Sequence, residues 1–172
     1  MQAGPSPSPS QIESMHFFGP GVQFCYPLGS TSHGFLYEGA LRNTSSQTVH
    51  VVDAQPIDPD PNIRTSSYLL PLTGNQDPMV AYPFSKSFLA SKAWRLRVPL
   101  PAHYAVPPNA DYRIAILVTL APGATAGALT PIRVSYEDNE GSKSVSNENL
   151  YAQLVAGNCS DASLVPGSAS NS

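Results

Sequence analysis

The sequence predicts an all-β chain built as a stack of two antiparallel sheets, and three observations carry that expectation. Eighteen prolines and twelve glycines are spread along 172 residues, which breaks up long helices and favours many short elements joined by turns. The stretch Asp111–Leu120 is the longest run of β-favouring residues. Its alternation puts Tyr112, Ile114, Ile116, Val118 and Leu120 on one apolar face, with Arg113, Ala115, Leu117 and Thr119 on a mixed one. A strand with a core on one side and partial solvent on the other belongs in the layer of a sandwich. The length suits one domain of about seven to nine strands.

Taken in order, residues 1–14 have no periodicity and form a linker expected to be disordered, in which Gly4-Pro-Ser-Pro-Ser-Pro-Ser10 reads either as a stiff polar spacer or as an ordinary terminus. The domain is expected over 15–159. It opens with Met15–Leu28, where Phe17, Phe18, Phe24 and Tyr26 flank a turn at Gly19-Pro20-Gly21. Gly34–Asn43 follows as a strand with Phe35, Tyr37, Gly39 and Leu41 on one face. The polar stretch Asn43–Gln47 then leads into a strand over Thr48–Asp53, and a linker this short predicts a hairpin of two antiparallel neighbours. Arg64–Leu72 is the next strand, Met79–Phe84 an apolar piece, and Ser85–Lys92 a short helical turn. Ala93–Leu100 reads as an edge strand, with Trp94, Leu96, Val98 and Leu100 inward, Arg95 and Arg97 outward, and Pro99 and Pro101 confining its end. After the central strand, Ile132, Val134 and Tyr136 alternate with Arg133 and Ser135, Asp138–Gly141 supplies a turn, and one long strand over Lys143–Val155 points Leu150, Ala152 and Leu154 at the core. The small, polar tail 160–172 is expected to be disordered.

Two phrases carry a family resemblance. Leu41-Arg-Asn-Thr followed by Thr48-Val-His-Val-Val, and Ile132-Arg-Val-Ser-Tyr-Glu-Asp-Asn-Glu-Gly141, resemble the early and late hairpins of immunoglobulin-like β-sandwich domains from bacterial extracytoplasmic proteins. Together they cover under a third of the chain. The resemblance implies an exported or membrane-anchored module with an immunoglobulin-like fold.

Charge narrows the partners. Charged residues make up 12% of the chain and the net charge is −3, against a usual charged share of about 25%. With no basic run, nucleic acid is not an expected partner. There is no run of 18 apolar residues and no basic-then-apolar leader at Met1, so the chain reads either as cytoplasmic or as the remainder after a leader was removed. In the second reading any membrane attachment runs through a removed N-terminal anchor. Cys25 and Cys159 flank the domain, where the first and last strands of a sandwich approach each other. They are read as a disulfide in an exported protein, with two reduced, unrelated thiols as the alternative.

No constellation of catalytic residues stands out. There is no Gly-x-Ser-x-Gly elbow, and His16, His33, His50 and His103 fall in separate segments without ligand spacing. Asp58, Asp60 and Asn62 lack the glycine and distant glutamate of a calcium loop and read as turn chemistry. The acids Glu137, Asp138 and Glu140 read as a solvated tip. Met15, His16, Met79 and Cys25 include soft ligands that copper proteins use, without the cysteine, histidine and methionine order of a blue-copper site. No cofactor or resident metal is therefore expected. The expected function is non-enzymatic: an extracytoplasmic binding or structural module of a cell-envelope assembly, with a protein partner or self-assembly, touching through Phe17, Phe18, Tyr82, Phe84, Phe88 and Tyr104. The alternatives are a periplasmic copper-handling module on Met15, His16 and Met79, and a structural subunit of a virion or appendage.

Overall fold

The computed structural model describes residues 13–18, 23–28, 34–71, 81–83, 89–147 and 150–159. Thirteen strands and one short helix are found among these residues, arranged in three sheets. The largest has the order β1 (Met15–Phe18), β3 (Gly34–Asn43), β9 (Asp111–Leu120), β5 (Ile63–Pro71) and β7 (Val98–Pro99), with β6 (Ala81–Pro83) pairing the other half of the β3 edge. A four-stranded sheet runs β12 (Gly141–Asn147), β11 (Ile132–Asp138), β4 (Val49–Pro56), β8 (Tyr104–Val106), and a three-stranded one runs β10 (Ala126–Leu129), β13 (Tyr151–Val155), β2 (Gln23–Pro27).

The expected fold class is the observed one: all-β, mainly antiparallel, with sheets stacked about one core. The run chosen from the sequence as the centre is β9, hydrogen-bonded along its length to β3 and β5. Its Ile114, Ile116 and Val118 join Phe35, Tyr37, Leu41 and Leu69 from the same sheet. Across the core they meet Val49, Val51, Ile132, Val134 and Tyr136 from the four-stranded sheet and Leu129, Ala152 and Leu154 from the three-stranded one. Short edge pieces raise the strand number above the seven to nine expected. One pair also departs from antiparallel order: β2 and β13 run parallel, which the sequence could not signal because their partnership spans nearly the whole domain.

Three local expectations are corrected. The strands β3 and β4 do not pair as a hairpin; β3 lies in the six-stranded sheet and β4 in the four-stranded one. Asn43 explains the crossing. Its side-chain amide donates to the carbonyls of Gln47, Val106 and Pro107 at 2.7, 3.0 and 3.1 Å, while its Oδ1 accepts from the Ser45 N–H and hydroxyl. The polar turn is thereby bound as an arch between the two layers.

Ala93–Leu100 is not one strand. Residues Lys92–Arg95 form helix α1, with the Ser91 hydroxyl accepting from the Trp94 N–H at its start. Lys, Ala and Arg favour helix, and the Ser91 cap fixes where it begins. Trp94 is an anchor as expected, but from a helix: it packs on the outer face of the six-stranded sheet against Leu36, Leu70 and Ala115. The small Ala115, between Ile114 and Ile116, leaves room for the indole. Leu96, expected inward, is 51% exposed.

The long final strand is broken. Asn147 is buried and donates to the Tyr37 hydroxyl at 2.7 Å, so β12 ends in the four-stranded sheet. After Leu150, buried as expected, the chain resumes as β13 in the three-stranded sheet.

Gly39 marks where β1 lies tight on β3. A Cβ there would stand 2.3 Å from a ring carbon of Phe17, so the ring would have to move. Gly39→Ala is expected to cost about 1–3 kcal/mol in urea unfolding, and Phe17→Leu in the same background to recover part of it.

Candidate functional site

The Cys25 and Cys159 sulfurs are bonded, with their Cα atoms 5.8 Å apart, within the usual span of a disulfide. Cys25 lies on β2 opposite Gln153 of β13, and Cys159 follows the end of β13. Parallel pairing of an early strand with the last one brings the two thiols to the same end. Of the two readings the sequence left open, the bonded one is observed, and it hints at an oxidising, extracytoplasmic setting.

The outer face of the six-stranded sheet carries the second notable group. Trp94 meets Tyr68 edge-on with centroids 4.9 Å apart, and the Arg97 guanidinium lies 4.5 Å over the indole while its Nη1 donates to the Trp94 carbonyl at 2.9 Å. The cation is therefore held by the ring and the helix end together. On the same face Arg113 pairs with Glu38 at 3.0 Å, both side chains shielded from solvent. Leu89 and Leu96 are the exposed large hydrophobic residues among the described ones. The sequence pattern concealed this group because Trp94, Leu96 and Val98 alternate as a strand would. The signal that could have found it is Ser91 one residue ahead of Lys92-Ala-Trp-Arg, a helix start.

Of the residues expected to form a contact surface, Phe17 and Tyr104 are partly buried and pack against the core. Tyr104 also meets Tyr112 edge-on, with centroids 5.7 Å apart. Burial, and then the neighbouring Tyr104, push the Tyr112 phenol up to about 12. Phe18 and Tyr82 lie on β1 and β6, but their side chains, like Phe84 and Phe88 entirely, are outside the described residues.

The titratable groups are arranged differently from expectation. His50 and His103, far apart in sequence, stack with ring centroids 4.2 Å apart, and His103 Nε2 stands 3.0 Å from Glu137 Oε2. Both members of that pair are about half exposed, so solvent screens them. The acidic tip is not uniformly solvated. Asp138 is shielded and accepts from Ser14 Oγ at 2.7 Å, Lys143 Nζ at 2.8 Å and the Glu140 N–H at 2.9 Å. Burial would raise its carboxyl, but the hydrogen bonds from Lys143, Ser14 and Glu140 outweigh that and hold it below its ordinary value of 3.8. A depressed carboxyl stabilises the fold above its unfolded value and loses that contribution as pH falls through its folded value. The stability gap between the wild type and Asp138→Asn is therefore expected to be constant above about pH 5 and to close below pH 4, as read by thermal melts across pH. Tyr37 is also shifted: burial pushes its phenol up to about 12 against the hydrogen bond from Asn147, so it keeps its proton.

Three of the soft and acidic residues considered as metal ligands, Met15, Cys25 and Asp60, are used elsewhere. Met15 is fully buried in the core, which removes one sulfur from the copper-handling alternative on Met15, His16 and Met79, and Cys25 is in the disulfide; Met79 lies outside the described residues. Asp60 closes a turn, accepting from the Asn62 and Ala128 N–H groups at 2.8 Å each. A groove of about 410 Å³ lies between β4 and β5, lined by Asp53, Gln55, Thr65, Ser67, Tyr68 and Pro101 among others. Its backbone edge on β4 is already occupied, because Ser67 donates to the Ala54 carbonyl and Asp53 accepts from the Ala54 N–H.

No protein-family model matches the chain, and no curated protein sequence matches it. Among solved structures the chain is similar to the VesB protease of Vibrio cholerae, with 8% identity, a TM-score of 0.39 and 83% of this chain covered. It spans 32% of that protease's chain. It is also similar to the ASH/PapD-like domain of human CEP192, PapD-like domain 7, with 10% identity and a TM-score of 0.44, covering 91% of this chain and 96% of that one.

Proposed function

We propose that the protein is a non-enzymatic, immunoglobulin-like β-sandwich module of an extracytoplasmic assembly, acting through its surface on a protein partner or on further copies of itself. The observation that carries the reading is the Cys25–Cys159 bond, since a disulfide that spans the domain persists in oxidising compartments and not in a reducing cytosol. The same bond weighs against the reading in which both thiols stay reduced. Most of the buried polar groups described above are spent on structure: Asn43 and Asn147 bind layers together, and Asp138 fastens the start of β1 to the β11–β12 turn. Surface contact is the activity that such a scaffold supports best.

The test is to alkylate native cells with a membrane-permeant thiol reagent before lysis, then fractionate and crosslink. Both cysteines are expected unmodified, and the chain is expected to crosslink to envelope proteins or to itself. A cytoplasmic pool alkylated at both positions would overturn the reading.

A further inference from the structure

The protein is acidic overall, yet its positive charge is unevenly placed. No Asp or Glu occurs between Asp77 and Asp111, while Lys86, Lys92, Arg95 and Arg97, four of the nine basic residues, fall in that interval. Lys92, Arg95, Leu96 and Arg97 are all exposed. Their presentation is fixed by Trp94, whose burial against Leu36, Leu70 and Ala115 sets the orientation of α1. With the indole turned to the sheet, the i, i+3 and i+4 positions Lys92, Arg95 and Leu96 gather on the solvent side. Arg97 is held over the indole beside them, and Leu89, 39% exposed, precedes the helix by three residues. Cations and large apolar side chains thus stand out together from a turn anchored to the widest sheet.

We propose that the α1 turn adsorbs the protein to a bilayer surface carrying anionic lipid headgroups, the cations meeting the headgroups while Leu89 and Leu96 enter the interface. The make-up of the described patch favours this partner over an acidic protein. A stable protein interface buries about 800 Å² on each side and is centred on aromatic residues. Among the described residues two leucines and three cations are offered, and the aromatic rings of Trp94 and Tyr68 are turned onto each other. Adsorption to an anionic surface needs only shallow apolar burial together with a few cations. The inference concerns a lipid surface rather than a protein partner, and it stands or falls separately from the function proposed above.

The test uses the full chain with its disulfide intact, sedimented with vesicles of phosphatidylcholine alone or of phosphatidylcholine mixed with phosphatidylglycerol. Binding is expected to the mixed vesicles only, and to weaken with added salt. Lys92→Glu/Arg95→Glu is expected to lower the affinity at least about 25-fold, taking about fivefold for each cation lost. Leu96→Ser is expected to weaken binding while leaving its salt dependence in place. Unchanged thermal melting of these exposed variants shows that the fold is kept. The proposal is overturned if the wild type ignores anionic vesicles or if the double variant binds them equally well. It is also overturned if Leu96→Ser is without effect while the wild type is retained on immobilised polyglutamate, which would assign the turn to an acidic protein.

Discussion

The double variant Cys25→Ser/Cys159→Ser is expected to lose about 5 kcal/mol of stability, the chain-entropy value for a loop of this size. The two cysteines are separated by 134 residues, so the bond removes a large share of the freedom of the unfolded chain. The cost also has a native side. Among the described residues of the three-stranded sheet β2 is hydrogen-bonded only to β13, and it carries Phe24 and Tyr26, whose rings sit 5.7 and 5.2 Å from that of Phe35. Once the covalent link is gone, β2 is held by one parallel ladder and these rings. The loss corresponds to a fall in Tm of roughly 10–20 °C for a domain of this length. Thermal melting of the wild type with and without reductant should reproduce it. A fall of only one or two degrees would mean that the reduced, unfolded chain stays compact, and that the loop-closure account is wrong for this protein.

Asn43→Ala is the second large effect expected, a loss of about 2–4 kcal/mol. Asn43 is fully buried, and its amide satisfies the Gln47, Val106 and Pro107 carbonyls. Removing it takes the side-chain donor from the buried Val106 carbonyl, at a cost of about 1–3 kcal/mol for a group left unpaired, and leaves a cavity beside it, while the Pro107 and Gln47 carbonyls each keep a second donor in the Ala110 N–H and the Ser45 hydroxyl. Asn43→Asp tests the cause, because it keeps the shape but removes the donors. It is expected to lose at least as much as alanine. Ser45→Ala, which removes one hydroxyl near the surface, should cost no more than about 1 kcal/mol. If aspartate proved as stable as wild type in urea unfolding, shape rather than hydrogen bonding would hold the arch.

What the sequence made legible was the set of alternating runs. β3, β9 and β11 stand where period two placed them, β5 lies where a strand was expected, and Leu150, Ala152 and Leu154 are buried as expected. Alternation reports which face of a strand is apolar, not which strand lies beside it. For that reason the arch at Asn43 was read as a hairpin: a five-residue polar link between two β runs looks the same whether the strands pair or part. The break between β12 and β13 was hidden similarly, since the decisive contact, Asn147 with Tyr37, joins residues 110 apart. Trp94 misled because helical and strand periods agree over so short a stretch, and only the cap at Ser91 separates them. The stack of His50 on His103 depends on β4 pairing with β8, a partnership that neither segment announces. The disulfide was legible as a pairing of ends, while the parallel ladder beside it was not.

The place of β13 between β10 and β2 has a bearing on how the chain comes together. Because its ladder mate is supplied by residues 151–155, β2 must wait, during synthesis or threading through a pore, until the ten strands between them have emerged. Throughout that interval its amide edge is open to wrong partners. A polypeptide shortened from the C-terminus to before Tyr151 would lack the middle of that sheet, leaving β2 and β10 each with a missing neighbour rather than simply trimming an end.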